Sequence, residues 1–168
     1  KGKPLNVSRY LIEKGADVLV NISSSPWTYG KDKARDNRIK DLQKDCPSFV
    51  PFYYVNCTGI QNNGKNMVVF DGDSAIYNNR GEVVETARMP YEEELLVHEK
   101  GTDVKGFIKV SPEKIEAKYK AILQGIRGID ELMGRSDFPY VIGLSGGVDS
   151  ALVAVLLSLA AGSQRVIG

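Results

Sequence analysis

The 168 residues predict an α/β chain built in two parts. Three observations predict it. Short apolar runs at 17–22, 52–57 and 140–144 have the length and β-branched content of buried strands, and helical patterns separate them. Short strands with turn residues between them follow position 67, which is a meander pattern. Last, the run at 140–144 enters a glycine- and serine-rich loop that leaves as a helix, the order of an anion-binding α/β unit.

In order, Val7-Ser8-Arg9-Tyr10-Leu11-Ile12 has helical spacing, and Gly15 suits a helix stop. Asp17 to Ile22 reads as a buried strand. Ser23 to Gly30 is a loop at its carboxyl end, where ligand groups collect in α/β proteins. Lys31 to Lys44 carries both charges and predicts a solvated helix. Phe52 to Cys57 is a second buried strand, and Gly59 to Asn66 an Asn- and Gly-rich loop. Met67 to Tyr77 gives two short strands around a turn. Asn78-Asn79-Arg80-Gly81 is a hairpin turn, with Gly81 placed for a positive φ. Glu82 to Ala87 returns as a strand, and a further strand is expected near Glu94 to Glu99.

Composition shifts near Lys100, so residues 1–99 form one part, 100–111 a linker and 112–168 the second part. Ser111 and Pro112 suit the cap and first turn of a helix. That helix runs to about Met133 with Ile115, Tyr119, Ile122, Ile126 and Ile129 on one face, and Gly134 ends it. Tyr140 to Leu144 is a buried strand, Asp149 to Ala161 a helix, and Gln164 to Ile167 begins another strand.

Bulk properties exclude several classes. Lys plus Arg number 22 and Asp plus Glu 21, so no basic stripe for nucleic acid or anionic membrane is expected. No apolar run is long enough to span a bilayer, and Lys-Gly-Lys-Pro at the start is not followed by the apolar core of a signal peptide. Cys46 and Cys57 form neither a CxxC nor a disulfide framework; partly buried thiols in a cytoplasmic protein are expected. His98, the single histidine, lies in a charged stretch without a GxSxG elbow and reads as a surface or strand-edge residue.

Gly143-Leu144-Ser145-Gly146-Gly147-Val148-Asp149-Ser150 carries the clearest chemistry. Gly146 and Gly147 let backbone N–H groups approach an anion closely. The following helix aims its positive end at the same point. Ser145 and Ser150 can donate hydroxyl hydrogen bonds to phosphate. Asp149 cannot favourably face a phosphate directly, so its expected role is to hold Mg²⁺. Walker A and GxGxxG patterns are both absent.

This run resembles the PP-loop of ATP pyrophosphatases, and Pro139 to Ala154 looks most like the NAD synthetases among them. The resemblance implies that Gly143 to Ser150 holds the pyrophosphate of ATP and that Asp149 binds Mg²⁺. Asn21 to Lys31, Tyr54 to Gln61 and Val69 to Ser74 resemble carbon–nitrogen hydrolase (nitrilase-like) glutaminase domains. Glutamine-dependent NAD synthetases fuse two such domains. The implied fold is a partial nitrilase-like α-β-β-α sandwich followed by the first β-loop-α of a Rossmann-like PP-loop domain. The implied substrates are glutamine, ATP and deamido-NAD, and the implied assembly a homo-oligomer. Ser25 matches a glutamine-binding position, and Lys31 one that is often Arg and pairs with the glutamine carboxylate. The family's Glu-Lys-Cys triad is expected upstream of Lys1, so neither Cys46 nor Cys57 is its nucleophile and the chain alone is expected to be inactive. Two alternatives stay open: another PP-loop enzyme, such as a tRNA thiolase or an argininosuccinate-type ligase, and a non-catalytic module with a degenerate nitrilase fold.

Overall fold

A computed structural model describes residues 5–99, 113–134 and 137–168. The expected linker 100–111 and the helix cap at Ser111 and Pro112 lie outside the described residues. Two compact units result. One holds the residues up to Thr58 and from Phe70 onward in the first part; the other joins Gly59–Val69 to the residues after 112. Among the described residues, no helix is long and apolar enough to cross a membrane.

The first unit begins with α1 (Val7–Glu13), where the Asn6 side chain accepts from the Arg9 N–H. The backbone then turns at Gly15, whose φ is +94°. β1 (Leu19–Ser23) leads through α2 (Lys31–Asp45) to β2 (Phe52–Asn56), and β1 and β2 run parallel with Leu19 opposite Phe52. This is a βαβ unit. β5 (Ala75–Tyr77) and β6 (Val83–Thr86) extend the sheet antiparallel, in the order β1-β2-β5-β6. The β5–β6 turn closes with the Gly81 N–H donating to the Asn78 carbonyl at 3.0 Å, and Gly81 has φ +69° as expected. The core gathers Leu19, Ile39, Cys46, Phe49, Phe52, Ala75 and Tyr77.

Alternation along a strand explains one departure from the sequence reading. β1 and β2 were expected to be buried throughout. Leu19 and Phe52 are, but Val20, Ile22 and Val55, whose side chains leave by the opposite face, are exposed. The solvated helix is observed: Ile39 alone is buried on α2. The expected strand near Glu94 is absent, and that polar stretch is irregular.

The second unit shows two more departures. Residues expected as a loop contain β3 (Thr58–Asn62), which pairs with β4 (Met67–Asp71) in a separate two-stranded sheet. Asn62 and Asn63 supply the tight turn, their side chains accepting from the Gly64, Lys65 and Asn66 N–H groups. On α3 (Lys114–Met133) the buried positions are Ala117, Ala121, Leu123 and Gly128, whereas Ile115 and Ile122 are exposed. Small residues define the packed side because a strand lies close: a Cβ on Gly128 would stand 2.6 Å from the Ile60 side chain. Gly134 ends α3 in the left-handed region, as expected.

β7 (Tyr140–Val141), α4 (Val148–Ala161) and β8 (Val166–Ile167) form a second βαβ unit, with β7 and β8 parallel. β7 is shorter and more exposed than the buried strand expected over 140–144. A single 3₁₀ turn, Ser163–Arg165, precedes β8.

Candidate functional site

The glycine loop occupies the turn between β7 and α4. Gly146 has φ +80°, and Gly147 is the N-cap of α4 without a side-chain cap bond. By helix geometry, the amides of Val148, Asp149 and Ser150 have no partner within the helix and face outward at its positive end. The two serines meet above it. The Ser145 and Ser150 hydroxyl oxygens are 3.2 Å apart; Ser150 Oγ donates to the Gly147 carbonyl at 3.1 Å and accepts from the Ser145 N–H at 3.3 Å. Gly147 N–H reaches Ser145 Oγ at 3.4 Å. Two hydroxyls thus meet at the exposed N-terminus of a helix, and hydroxyls and first-turn amides are both donor types that an oxyanion can use. No atom lies within 4 Å of a Cβ built on Gly143 or Gly146, so the backbone there stays open to a ligand.

Asp149 lies in the first turn of α4, and its side chain is exposed. Among the described residues no three His, Cys, Asp or Glu side chains gather into a metal cage. A single carboxylate is enough for Mg²⁺ where phosphate oxygens and water complete its shell.

An ionic staple that sequence spacing could not reveal fixes the base of this turn. Arg165 donates to both Asp130 oxygens, at 2.6 and 3.0 Å, and to the Phe138 carbonyl at 2.7 Å. Tyr140 Oη donates to Asp130 at 2.7 Å, and the guanidinium lies over the Tyr140 ring. The Arg165 bonds hold the Asp130 carboxyl below its usual range, with the Tyr140 bond adding to them against burial.

Ser25 and Lys31 lie in the first unit, on the loop after β1 and at the start of α2. Ser25 is half-buried, and its backbone is held from both sides by the Asn56 amide. Lys31 Nζ donates to the Pro26 carbonyl at 2.8 Å, so its ammonium rests beside the residue that follows Ser25. Four residues further along α2, Arg35 donates to Asp73 at 2.5 Å and to the Tyr77 hydroxyl at 3.0 Å and stacks on Tyr54. Tyr77 in turn donates to Asp36. Burial raises the Tyr77 hydroxyl pKa well above normal, partly countered by Arg35. Burial opposes the Arg35 charge, and Asp73 and Tyr77 more than offset it. Neither Asn56 nor Arg35 stood out in the sequence; an Asn closing an otherwise apolar strand was the one visible signal.

The cysteines are thiols without a disulfide. Cys46 is buried, and Cys57 is half-buried with its sulfur 3.3 Å from the Ser24 hydroxyl. His98 sits half-buried in the irregular stretch after β6.

The chain as a whole now has relatives. Residues 119–168 match the protein-family model described as NAD synthase, so the βαβ unit with its glycine loop has the pattern of that class of enzyme. Over nearly its whole length the chain is related to the glutamine-dependent NAD(+) synthetases. It is 31% identical to the one from Synechocystis over 94% of this chain, and 34% identical to the one from Rhodobacter capsulatus over 96%. A solved structure of glutamine-dependent NAD+ synthetase from Acinetobacter baumannii in complex with adenosine diphosphate is similar with a TM-score of 0.77 at 30% identity, covering 96% of this chain. The chain spans 28%, 29% and 30% of the lengths of these three proteins.

Proposed function

We propose that this chain is part of an enzyme that makes NAD from deamido-NAD, ATP and the amide nitrogen of glutamine. The observation that carries the reading is the turn between β7 and α4. The Ser145 and Ser150 hydroxyls meet there at the N-terminus of α4, within the residues that match the NAD synthase family. In the proposed reaction the nicotinate carboxylate oxygen of deamido-NAD attacks the α-phosphorus of ATP. The bond to the β-phosphate breaks, and pyrophosphate leaves against the backbone of Gly143, Leu144, Gly146, Gly147 and Val148 and the hydroxyls of Ser145 and Ser150, with Asp149 facing it only through a cation. Ammonia then attacks the acyl carbon, and AMP leaves with the bonding electrons. Mg²⁺, held by Asp149 and phosphate oxygens, would offset the negative charge of the departing pyrophosphate.

The first unit is the proposed source of ammonia. We assign residues 1–99 to a nitrilase-like glutaminase domain of α-β-β-α type, 100–111 to a linker and 112–168 to the start of the synthetase domain. Ser25 and Lys31 would bind glutamine. A thiolate would release the ammonia and be freed from its thioester by water, and neither Cys46 nor Cys57 is assigned that role. The enzyme is proposed to work in the cytoplasm as a homo-oligomer.

The test is NAD formation and pyrophosphate release by the full-length protein that carries this chain. Ser145→Ala and Asp149→Asn should each lower ATP-dependent turnover about tenfold or more, the loss of one charge-assisted contact. The 168-residue chain alone should form no NAD. Unchanged pyrophosphate release in both variants would overturn the loop assignment.

A further inference from the structure

We infer that Asn56 is the positioning residue for the glutamine loop, because its side-chain amide holds both backbone groups of Ser25. The inference rests on the proposed glutamine role of Ser25 and Lys31. The parallel ladder between β1 and β2 ends at the pair Ser23–Asn56, with the Cys57 N–H donating to the Ser23 carbonyl at 3.2 Å. Beyond that point the chain leaves the sheet, and the Ser25 peptide groups have no strand opposite them. Asn56 supplies one. Its Oδ1 accepts from the Ser25 N–H at 2.8 Å and its Nδ2 donates to the Ser25 carbonyl at 3.2 Å. A carboxamide has the donor–acceptor pair of a peptide group, so the side chain extends the ladder by one residue where the backbone cannot.

Asn56 is itself anchored. Its N–H donates to Ser74 Oγ at 3.0 Å, just before β5. Both proposed glutamine contacts then depend on the clamped segment: Ser25 directly, and Lys31 through its ammonium on the Pro26 carbonyl. The chemistry is narrow. Aspartate would place a second acceptor against the Ser25 carbonyl, alanine would leave both groups unpaired, and glutamine would be one methylene too long. A misplacement of about 1 Å at a substrate-binding loop costs up to about a hundredfold in rate, so the clamp should act on glutamine use and not on the ATP step.

The experiment uses the full-length protein with two nitrogen donors, glutamine and ammonium chloride. Asn56→Ala and Asn56→Asp should raise the KM for glutamine about tenfold or more. NAD formation from ammonium chloride, and the KM values for ATP and deamido-NAD, should stay near wild type. The aspartate variant, nearly isosteric, should lose as much as the alanine variant. A wild-type glutamine KM in both overturns the inference. Loss of ammonium-driven synthesis in both also overturns it, because Asn56 then serves folding in general. If the unsubstituted protein makes NAD from neither donor, the proposed function itself fails and takes the inference with it.

Discussion

Arg35 and Lys31 stand four residues apart on α2, and their surroundings differ completely. The Lys31 ammonium rests on an exposed loop carbonyl, whereas the Arg35 and Asp73 side chains are only 13% and 20% exposed. Asp73 is held in the left-handed region with φ +49°, which is uncommon for a residue with a Cβ. The pair therefore joins α2 to the turn before β5 and fixes an unfavourable backbone there. Arg35→Met should destabilise the protein by about 1.5–3 kcal/mol, because it removes the charge-assisted hydrogen bonds that the guanidinium makes to Asp73 and Tyr77. Arg35→Lys should recover part of this only, since an ammonium cannot bond Asp73 and Tyr77 with a rigid fork. Chemical denaturation of the three proteins checks the order. Equal stability of the methionine variant and wild type would remove the pair from the list of stabilising contacts.

At the scale of elements, the β3–β4 hairpin and α3 meet at a glycine, Gly128, with a second, Gly125, whose Cβ would make only ordinary contact. A Cβ on Gly128 would come within 2.6 to 2.8 Å of three Ile60 side-chain atoms, and one on Gly125 would sit 3.6 Å from Val69. Gly128→Ala gains about 1 kcal/mol of helix propensity but forces Ile60 to move, at a cost of about 1–3 kcal/mol. The net effect should be neutral to about 2 kcal/mol destabilising. In an Ile60→Ala background the clash is gone, and the same substitution should become stabilising by up to about 1 kcal/mol. A double-mutant cycle of unfolding free energies reads that change of sign, and its absence would refute the contact. This pairing also shows where the sequence is silent. Periodicity pointed to the Ile115–Ile129 face of α3, because large apolar residues usually mark the core. The fully buried positions are Ala117, Ala121, Leu123 and Gly128, three of them small side chains that periodicity weighs lightly, while Ile126 and Ile129 of the expected face are half-buried. Thr58–Asn62 is too short and polar to look like a strand without its partner. The glycine loop was legible as a strand-to-helix turn because its glycines and serines stand side by side in the chain. Asn56 with Ser25, and Arg165 with Asp130, were not, because the partners lie 31 and 35 residues apart.

Taken whole, the chain leaves much apolar surface uncovered. On the outer face of the first sheet Ile22 is 86% and Val20 62% exposed, with Val55 beside them. In the other unit, α4 has no buried residue although it is apolar on most sides. Contiguous apolar patches of this kind mark surfaces that bind other polypeptide or aggregate. The 168-residue chain in isolation should therefore self-associate and bind a hydrophobic dye. Replacing Val20 and Ile22 together by Thr keeps the β-branched shape that suits a strand and removes apolar surface without opening a cavity. In the isolated chain this double variant should reduce dye binding and association while leaving the melting temperature nearly unchanged. On the proposed sandwich reading, the same face is covered in the full-length protein. There the substitutions should cost about 1–3 kcal/mol per residue, the range for taking a buried aliphatic side chain out of its apolar surroundings. Light scattering, dye fluorescence and unfolding curves on both polypeptides give the comparison. A double variant as stable as wild type in the full-length protein would mean that this face stays in water there, and the proposed α-β-β-α sandwich would have to be abandoned.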